Sequence, residues 1–378
     1  MSLSALLHNE KTGGILLILI TALSLILANA SFGPAYVAFW EQPLGPYTLS
    51  MWINDGLMAI FFLLVGLELR REITNGELSD IRKASLPLFA ALGGMLVPAG
   101  LYMALNQGTI YQNGAGIPMA TDIAFAIGVL SLLGSRVPLA LKVFLTALAV
   151  IDDLGAIIVI AVFYSSGIQF SYLAIALATF GALLLLQRLK VKVLALYLVG
   201  GIVIWYALHH SGIHATIAGV LLAFTLPNSI NDENKSSLAH LTEKALHLPV
   251  PFLILPLFAM ANTAIILQPD WASGLSNSAS LGIISGLVIG KPIGILLFTF
   301  LAIALGVGSL ADSIKMKHIF AVGALAGIGF TMSIFVTNLA FAGEHIIIDQ
   351  AKIAILCASL LSALIGYFGL YFLLRKHN

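Results

Sequence analysis

The chain has 378 residues, of which 60% are hydrophobic and only 9% are charged. An ordinary globular domain has about 25% charged residues, so this composition indicates a membrane protein. The formal net charge of +1 argues against a nucleic-acid partner. The single cysteine, Cys357, excludes an internal disulfide framework and a cysteine metal cluster.

Twelve apolar stretches of roughly 17 to 25 residues, the length that crosses a bilayer as a helix, follow one another along the chain. The predicted spans are centred near residues 20, 61, 95, 123, 152, 180, 202, 220, 255, 292, 328 and 362. The eighth span is short, and the ninth, at about residues 238–267, contains three prolines that leave its shape open. The pattern predicts one all-α transmembrane domain over residues 1–378.

Lysine and arginine residues occur in alternate loops between these spans, and 16 of the 18 follow this pattern. By the positive-inside rule these loops face the cytoplasm, which predicts twelve spans with both termini in the cytoplasm. The two exceptions are Lys352 and Lys291. Lys352 begins the last span on the outer side, where a long side chain reaches the membrane surface. Lys291 lies within the tenth span, so reaching the membrane surface does not explain its position.

Three aspartates lie near the centres of predicted spans: Asp122 in the fourth, and the adjacent pair Asp152 and Asp153 in the fifth. A charge there costs roughly 2.5 to 3.5 kcal/mol on insertion scales, so such residues usually serve a function. Neighbouring helix residues point about 100° apart, so the pair must serve different partners. We expect one of the two carboxylates to pair with Lys291 and the other to face a water-filled cavity.

A carboxylate in such a cavity can hold either a proton or a small hard cation. Desolvation disfavours the charged carboxylate and favours protonation, while cations such as sodium prefer oxygen ligands. The sequence therefore predicts a site that exchanges protons for cations, with Asp152 and Asp153 as the candidate Na⁺ ligands and proton carriers.

Helix-breaking residues interrupt two of the predicted spans. Pro118 precedes Thr121 and Asp122 in the fourth span, and three glycines precede Thr331 in the eleventh. The segments TDIAF and TMSIF share a threonine and a phenylalanine at the same spacing, and the two spans cross the membrane in opposite directions because they are seven apart. Paired interrupted spans are typical of an inverted repeat around a transporter's binding site.

Crossed interrupted helices would bring two partially positive helix ends together on one side and two partially negative ends on the other. Asp122 and Lys291 have the charges that compensate these ends. This predicts an electrostatic and positioning role for Asp122.

Six motifs, LLVGLELRRE, ATDIAF, AVIDDLGA, SGIHATIAG, GKPIG and GIGFTMSIF, closely resemble those of the NhaA-type sodium/proton antiporters, and the likeness covers nearly the whole chain. The resemblance implies a bacterial inner-membrane protein of twelve helices with inverted repeats at about residues 84–165 and 279–375. The fourth and eleventh spans are then unwound where they cross. The implied activity is electrogenic, pH-dependent exchange of cytoplasmic Na⁺ or Li⁺ for external H⁺ by alternating access, with no cofactor.

The resemblance also assigns roles within the predicted site. It implies that Asp153 is the principal ion and proton carboxylate, that Asp152 beside it pairs with Lys291, and that Thr121 and Asp122 lie at the crossing.

The resemblance further implies a homodimer surrounded by membrane lipid. A hairpin after the first span can mediate dimerisation in the family. Turn signals in residues 32–50 permit such a hairpin here, although Pro43 and Pro46 limit its ladder.

A separate group of charges lies at the cytoplasmic end of the ninth span, where the family's control of pH response has been placed. Glu243 and His247 are spaced i,i+4 there, and Glu68 and Arg71 lie across the same face. Lys244 occupies a position where some relatives carry a histidine. A regulatory role and a solvated charge cluster both stay open for these residues.

Other membrane functions fit the sequence less well. An intramembrane protease would need aspartates on different helices or an HExxH zinc motif, and neither pattern occurs, so no enzyme is predicted. A channel needs a ring of filters or a continuous pore rather than interrupted helices. The closest alternative is a sodium-coupled symporter of an organic anion, since related crossed-helix architectures could serve it.

Overall fold

The computed structural model describes residues 10–165, 167–228, 237–311 and 313–375, and these residues are mainly α-helical. In chain order the elements are α1 (Glu10–Ala28), α2 (Gly33–Trp40), β1 (Pro43–Leu44), β2 (Tyr47–Thr48), α3 (Leu49–Asn75), α4 (Ile81–Asn106), α5 (Ile123–Leu132), α6 (Leu139–Phe163), α7 (Phe170–Arg188), α8 (Leu194–Ser211), α9 (Ile217–Thr225), α10 (Leu238–Asn262), α11 (Ser278–Ala304), α12 (Met316–Ala326), α13 (Phe330–Ala340) and α14 (His345–Leu374). A 3₁₀ segment, Gln112–Met119, precedes α5.

Within the described residues, nine helical segments are long and apolar enough to cross a membrane. The number rises to eleven if two bent pairs, α1 with α2 and α12 with α13, each count as one span. The protein is therefore an all-α, multi-pass membrane protein. The predicted eighth span corresponds to α9, which has only nine residues. The total of twelve spans stays a prediction.

The predicted ninth span corresponds to α10, which ends at Asn262, five residues before the predicted end. A wider, π-helical turn at Val250–Ile254 follows Pro249 and contains Pro251. Because proline lacks an N–H donor and crowds the preceding turn, a regular α-helix cannot continue unchanged through this pair. Regular α-helix stops at Leu246, and the span continues through this wider turn to Asn262.

The segment between the first two predicted spans contains an unpredicted helix, α2, and the predicted hairpin. Strands β1 and β2 pair antiparallel, with Pro43 opposite Thr48 and Leu44 opposite Tyr47. The turn between them uses Gly45 at a φ of +71°, a conformation that favours glycine. Each strand has only two residues, as expected of a ladder that contains a proline.

Two glycines bring α4 and α11 into very close contact. A Cβ atom on Gly93 would lie 2.1 Å from the Gly294 carbonyl oxygen, and a Cβ on Gly294 would lie 2.1 Å from the Gly93 carbonyl oxygen. Small residues at such an interface let membrane helices pack backbone against backbone. This contact places Lys291, one turn before Gly294, in the protein interior, where it is 0% exposed.

Both predicted helix interruptions are present. The 3₁₀ segment ends at Met119 and α5 begins at Ile123, with an extended backbone at Ala120 and Asp122. Helix α12 ends at Ala326, and α13 resumes at Phe330 after a bend of 52°. Helix ends leave backbone donors and acceptors without partners inside the helix, so each interruption needs polar groups from elsewhere in the protein.

Candidate functional site

Asp122 joins the two interruptions through backbone and side-chain hydrogen bonds. Its N–H donates to the Ile328 carbonyl at 2.7 Å, which links the two broken segments directly. Its Oδ1 accepts from the Phe125 N–H at 2.9 Å and so caps α5. Its Oδ2 accepts from Thr331 twice, from the N–H at 3.2 Å and from the hydroxyl at 2.5 Å. One carboxylate thereby serves the N-termini of both α5 and α13.

Hydrogen-bond donors also serve carbonyl groups at the opposite helix ends. The Thr121 hydroxyl donates to the carbonyl of Ala326, the last residue of α12, at 2.8 Å. The Lys291 ammonium group donates to the carbonyl of Met119, the last residue of the 3₁₀ segment. A cation at a C-terminal helix end also compensates the partial negative charge there. That Asp122 and Lys291 compensate the charges of these helix ends stays a prediction.

Lys291 forms an ion pair with Asp152. Its Nζ lies 2.7 Å from Asp152 Oδ2, and the two side chains are 0% and 1% exposed. Helix α6 supplies the aspartate and α11 supplies the lysine. Because the pair is fully buried, removing either charge would leave the other without compensation, which is far more costly than the loss of an exposed ion pair.

Asp153 follows on the same helix but has different surroundings. It is 1% exposed, and its Oδ1 is buried without a hydrogen bond from any described residue. Asp152 Oδ1 is in the same situation. Asp153 interacts electrostatically with Asp152, Glu68 and Asp122, and with Lys291. Unlike Asp122, this carboxylate has acceptor capacity that the surrounding protein does not use.

The carboxylates of Asp152 and Asp153 can hold a small cation or a proton, but they do not resemble a multidentate metal centre. Among the described residues, no group of three or more histidine, cysteine, aspartate or glutamate side chains could hold a metal ion. A sodium ion at Asp153 would therefore complete its oxygen coordination with groups such as Asp152 Oδ1, backbone carbonyls or water, ligands that hard cations accept.

The charged residues predicted on α3 and α10 lie together in part. Arg71 Nη1 donates to Glu243 Oε1 at 2.7 Å, and Arg71 Nη2 lies 3.2 Å from Glu72 Oε1. Glu68 interacts electrostatically with all three of these side chains. His247 does not join the group: its side chain is exposed and forms no hydrogen bond or ion pair with the described residues, and only its N–H bonds to the Glu243 carbonyl.

Comparison with known proteins matches residues 4–370 to the family model described as Na⁺/H⁺ antiporter 1. The chain belongs to this family. Among its curated relatives, Na⁺/H⁺ antiporter NhaA 1 of Flavobacterium johnsoniae is 56% identical over 99% of this chain and 97% of the relative. Antiporter NhaA of Dechloromonas aromatica is 56% identical over 98% of this chain and 95% of its own length, and that of Vibrio cholerae is 48% identical over 95% and 94%.

The sequence did not identify every polar group that holds the site of this family member together. Thr331 was recognised only as part of a helix-breaking segment, yet it supplies two of the donors to Asp122. Ser359 of α14 accepts the Phe330 N–H at 3.1 Å and was not singled out. The threonine shared by TDIAF and TMSIF was the available signal for Thr331. A serine within an apolar span gives no comparable signal, since small residues there usually serve packing.

Proposed function

We propose that this chain exchanges cytoplasmic Na⁺ or Li⁺ for external H⁺ at Asp153. Sodium/proton exchange is the activity named for its relatives, which match this chain almost end to end. The observation that carries the site assignment is the buried Asp153 oxygen, which has no donor among the described residues and follows an aspartate already paired with a lysine. Burial disfavours the bare charge, so Asp153 gains from binding either a proton or a cation.

Exchange follows from competition between the two ligands for one carboxylate. Sodium binds only when the proton has left Asp153, and a proton binds only when sodium has left. The apparent affinity for sodium should therefore weaken as the pH falls, by up to about tenfold per pH unit if one proton competes. A sodium affinity that stays constant while the maximal rate changes would instead favour a separate pH-controlled gate.

The Asp152–Lys291 pair provides a second group that can change protonation. If either member gains or loses a proton in each cycle, two protons move one way for one sodium ion the other way. The cycle then carries net charge, and one elementary charge is worth about 2.3 kcal/mol per 100 mV. An inside-negative potential should therefore drive sodium out of the cell.

The proposed architecture has twelve spans, both termini in the cytoplasm, and inverted repeats at about residues 84–165 and 279–375 whose interrupted helices cross. Two observations support this arrangement. Gly93 and Gly294, one from each proposed repeat, bring the backbones of α4 and α11 into direct contact. The hydrogen bonds of Asp122 and Thr121 join the two interruptions directly. In alternating access, one inverted repeat would move relative to the other around Asp152 and Asp153.

We place the transporter in the bacterial inner membrane as a homodimer, with the β1–β2 hairpin as a candidate dimer contact. Its site needs no cofactor because the transported ions supply the changing charges. The Glu68, Arg71 and Glu243 group is a candidate for adjusting the pH range, and His247 contributes less because its side chain lies apart.

Sodium-driven proton movement in proteoliposomes tests the proposed exchange. Adding sodium without any organic solute should dissipate an imposed pH gradient across the active pH range. A requirement for an organic anion would support the symporter alternative instead.

Clamping the membrane potential with potassium and valinomycin tests the two-proton cycle. The rate of exchange and the final sodium distribution should depend on the clamped potential. If neither depends on it, one proton is exchanged for one sodium ion.

A further inference from the structure

A groove of about 470 Å³ lies between α14 on one side and α1 and α5 on the other. Its lining on α14 begins at Leu356 and ends at Phe368, with residues at i, i+3 and i+4 spacing, so one face of the helix forms the wall. The same spacing occurs on α1 and on α5. The groove therefore runs along the faces of these helices.

The groove has an exposed rim and a buried floor. Ile18, Leu360 and Phe368 on the rim are 43%, 61% and 49% exposed, whereas Phe330 and Ser359 on the floor are 2% and 4% exposed. Exposed apolar side chains on membrane-spanning helices face lipid. The groove therefore opens sideways into the bilayer.

The length of the groove suits a single acyl chain. The stripe from Leu356 to Phe368 covers twelve helical rises of 1.5 Å, or about 18 Å. One leaflet accounts for half of the roughly 30 Å hydrocarbon thickness of a bilayer. A lipid acyl chain, which extends through one leaflet, would therefore fill most of the length of the groove.

An exposed arginine lies beyond one end of the groove. Tyr367 lines the groove and stacks on Tyr371, one helical turn further, with 6.4 Å between ring centroids. The Arg136 guanidinium carbon lies 5.6 Å from the Tyr371 ring centroid. Arg136 is exposed and forms no ion pair with the residues that the structure describes. Tyrosine rings favour the membrane interface, and arginine binds phosphate in a bidentate manner.

We propose that this groove binds an anionic phospholipid, with one acyl chain along α14 and the phosphate at Arg136. An anionic lipid is favoured over a zwitterionic one because its headgroup brings no cation of its own to compete with the guanidinium group. The lipid would come from the leaflet on the Arg136 side, which is the cytoplasmic leaflet in the orientation proposed above.

The buried floor of the groove lies beside the proposed transport site. Phe125 and Phe330 both line it and contact each other edge to face, with 5.7 Å between ring centroids. The Phe125 N–H donates to Asp122 Oδ1, and the Phe330 N–H donates to Ser359 Oγ. An acyl chain in the groove would pack against the residues that follow both interruptions. Lipid occupancy should therefore affect exchange, a consequence that rests on the proposed function.

Lipid retention by the purified full-length protein tests the binding site independently of transport. The delipidated protein would be incubated in detergent with phosphatidylglycerol or phosphatidylcholine of identical acyl chains, and bound lipid would be counted by native mass spectrometry. The wild type should prefer phosphatidylglycerol by about fivefold, the effect of one arginine near a membrane surface. Arg136→Gln should abolish that preference. Lys317→Gln should retain it, because Lys317 lines a separate hollow on another side of α14.

A second pair of variants tests the position of the acyl chain. Ala22 and Leu23 are adjacent exposed residues of α1, but only Ala22 lines the groove. Ala22→Trp should lower retention of both lipids, and Leu23→Trp should leave it unchanged. Equal binding of the two lipids by the wild type, or an undiminished preference in Arg136→Gln, would overturn the proposal. A changed oligomeric state in Ala22→Trp alone would assign the groove to a second copy of the chain instead.

Proteoliposomes then test the link to transport. Adding phosphatidylglycerol to phosphatidylcholine vesicles should speed sodium/proton exchange by the wild type and Lys317→Gln, but not by Arg136→Gln. If the preference in binding is present and exchange ignores the lipid, the link to transport is overturned while the binding site stands. Exchange that is absent from every vesicle would count against the proposed function, not against the lipid site.

Discussion

Asp122 and Asp153 are both buried, at 2% and 1% exposure, yet their carboxylates have opposite surroundings. Asp122 accepts three hydrogen bonds from the starts of two helices. Asp153 has a buried oxygen that accepts none from the described residues. Burial alone therefore does not distinguish the two carboxylates. The supply of protein donors separates an aspartate that holds helices together from one that can bind an ion.

Asp152 lies between these two extremes. Its Oδ2 is paired with Lys291 at 2.7 Å, while its Oδ1 has no hydrogen-bond partner among the described residues. It therefore combines a paired oxygen, like those of Asp122, with an oxygen that lacks a donor, like that of Asp153. Substitutions at these carboxylates and their partners should therefore differ in the size of their effects.

Asp153→Asn should reduce sodium-dependent proton flux in proteoliposomes to the level of protein-free vesicles. The amide keeps the shape of the carboxylate but cannot carry the exchanging charge, and the loss of a buried charge should leave the folded protein at least as stable. Asp349→Asn, at an exposed position near the N-terminal end of α14, is the matched control and should retain flux. Wild-type flux in Asp153→Asn would remove Asp153 from the transport site.

Lys291→Ala should destabilise the protein by about 3 to 5 kcal/mol, because it leaves Asp152 buried without its cation. Combining Lys291→Ala with Asp152→Asn should recover much of that stability, since no unpaired charge then remains. Thermal unfolding in detergent of both single variants and the double variant forms a double-mutant cycle. Strictly additive effects would mean that the two side chains are not coupled.

Thr331→Val should cost about 1 to 2 kcal/mol, because it removes the hydroxyl that donates to Asp122 Oδ2. The same change should add little to Asp122→Ala, which has already lost that bond. Thr299→Val is the matched control, since the Thr299 hydroxyl is buried without a hydrogen bond from the described residues. Unfolding temperatures measured in detergent give all three results. Equal losses for the two threonines would argue against a cap shared by α5 and α13.

Glu243→Gln should have the smallest effect, a shift in the pH profile of exchange with little change in stability. Although Glu243 is 8% exposed, its partner Arg71 is 49% exposed, so water screens the pair and its loss should cost about 1 kcal/mol. Lys244→Gln is the matched control because that neighbour is exposed. Rates across the pH range would be compared for the two variants. If the pH profile of exchange is unchanged in Glu243→Gln, the group of Glu68, Arg71 and Glu243 has a purely structural role.

The sequence identified the central charged residues because an ionisable group in an apolar span is conspicuous. Asp122, Asp152, Asp153 and Lys291 all stand out for this reason, and the requirement that the aspartate pair serve two partners follows from helix geometry alone. The partners themselves were harder to predict. The Asp122–Thr331 bond joins residues 209 positions apart, and Lys291 also binds a backbone carbonyl, which has no distinct sequence signal.

The fold was predictable to a similar extent. Long apolar runs located most membrane helices, and prolines and glycines located both interruptions. Helix α2 was missed because its eight residues are too few to produce a membrane-length pattern. The end of α10 was placed too late because apolar residues continue to Leu267, beyond the last helical residue, Asn262. Hydrophobicity records which segments prefer lipid, but it does not determine where backbone hydrogen bonding stops.

The most direct test of competition at Asp153 is the release of protons when sodium is added to purified protein in weakly buffered detergent. The wild type should release protons into solution, with more sodium required as the pH falls. Asp153→Asn should release none, and Asp349→Asn should behave as the wild type does. Proton release from Asp153→Asn equal to that of the wild type would contradict the assignment and place the exchanging group elsewhere.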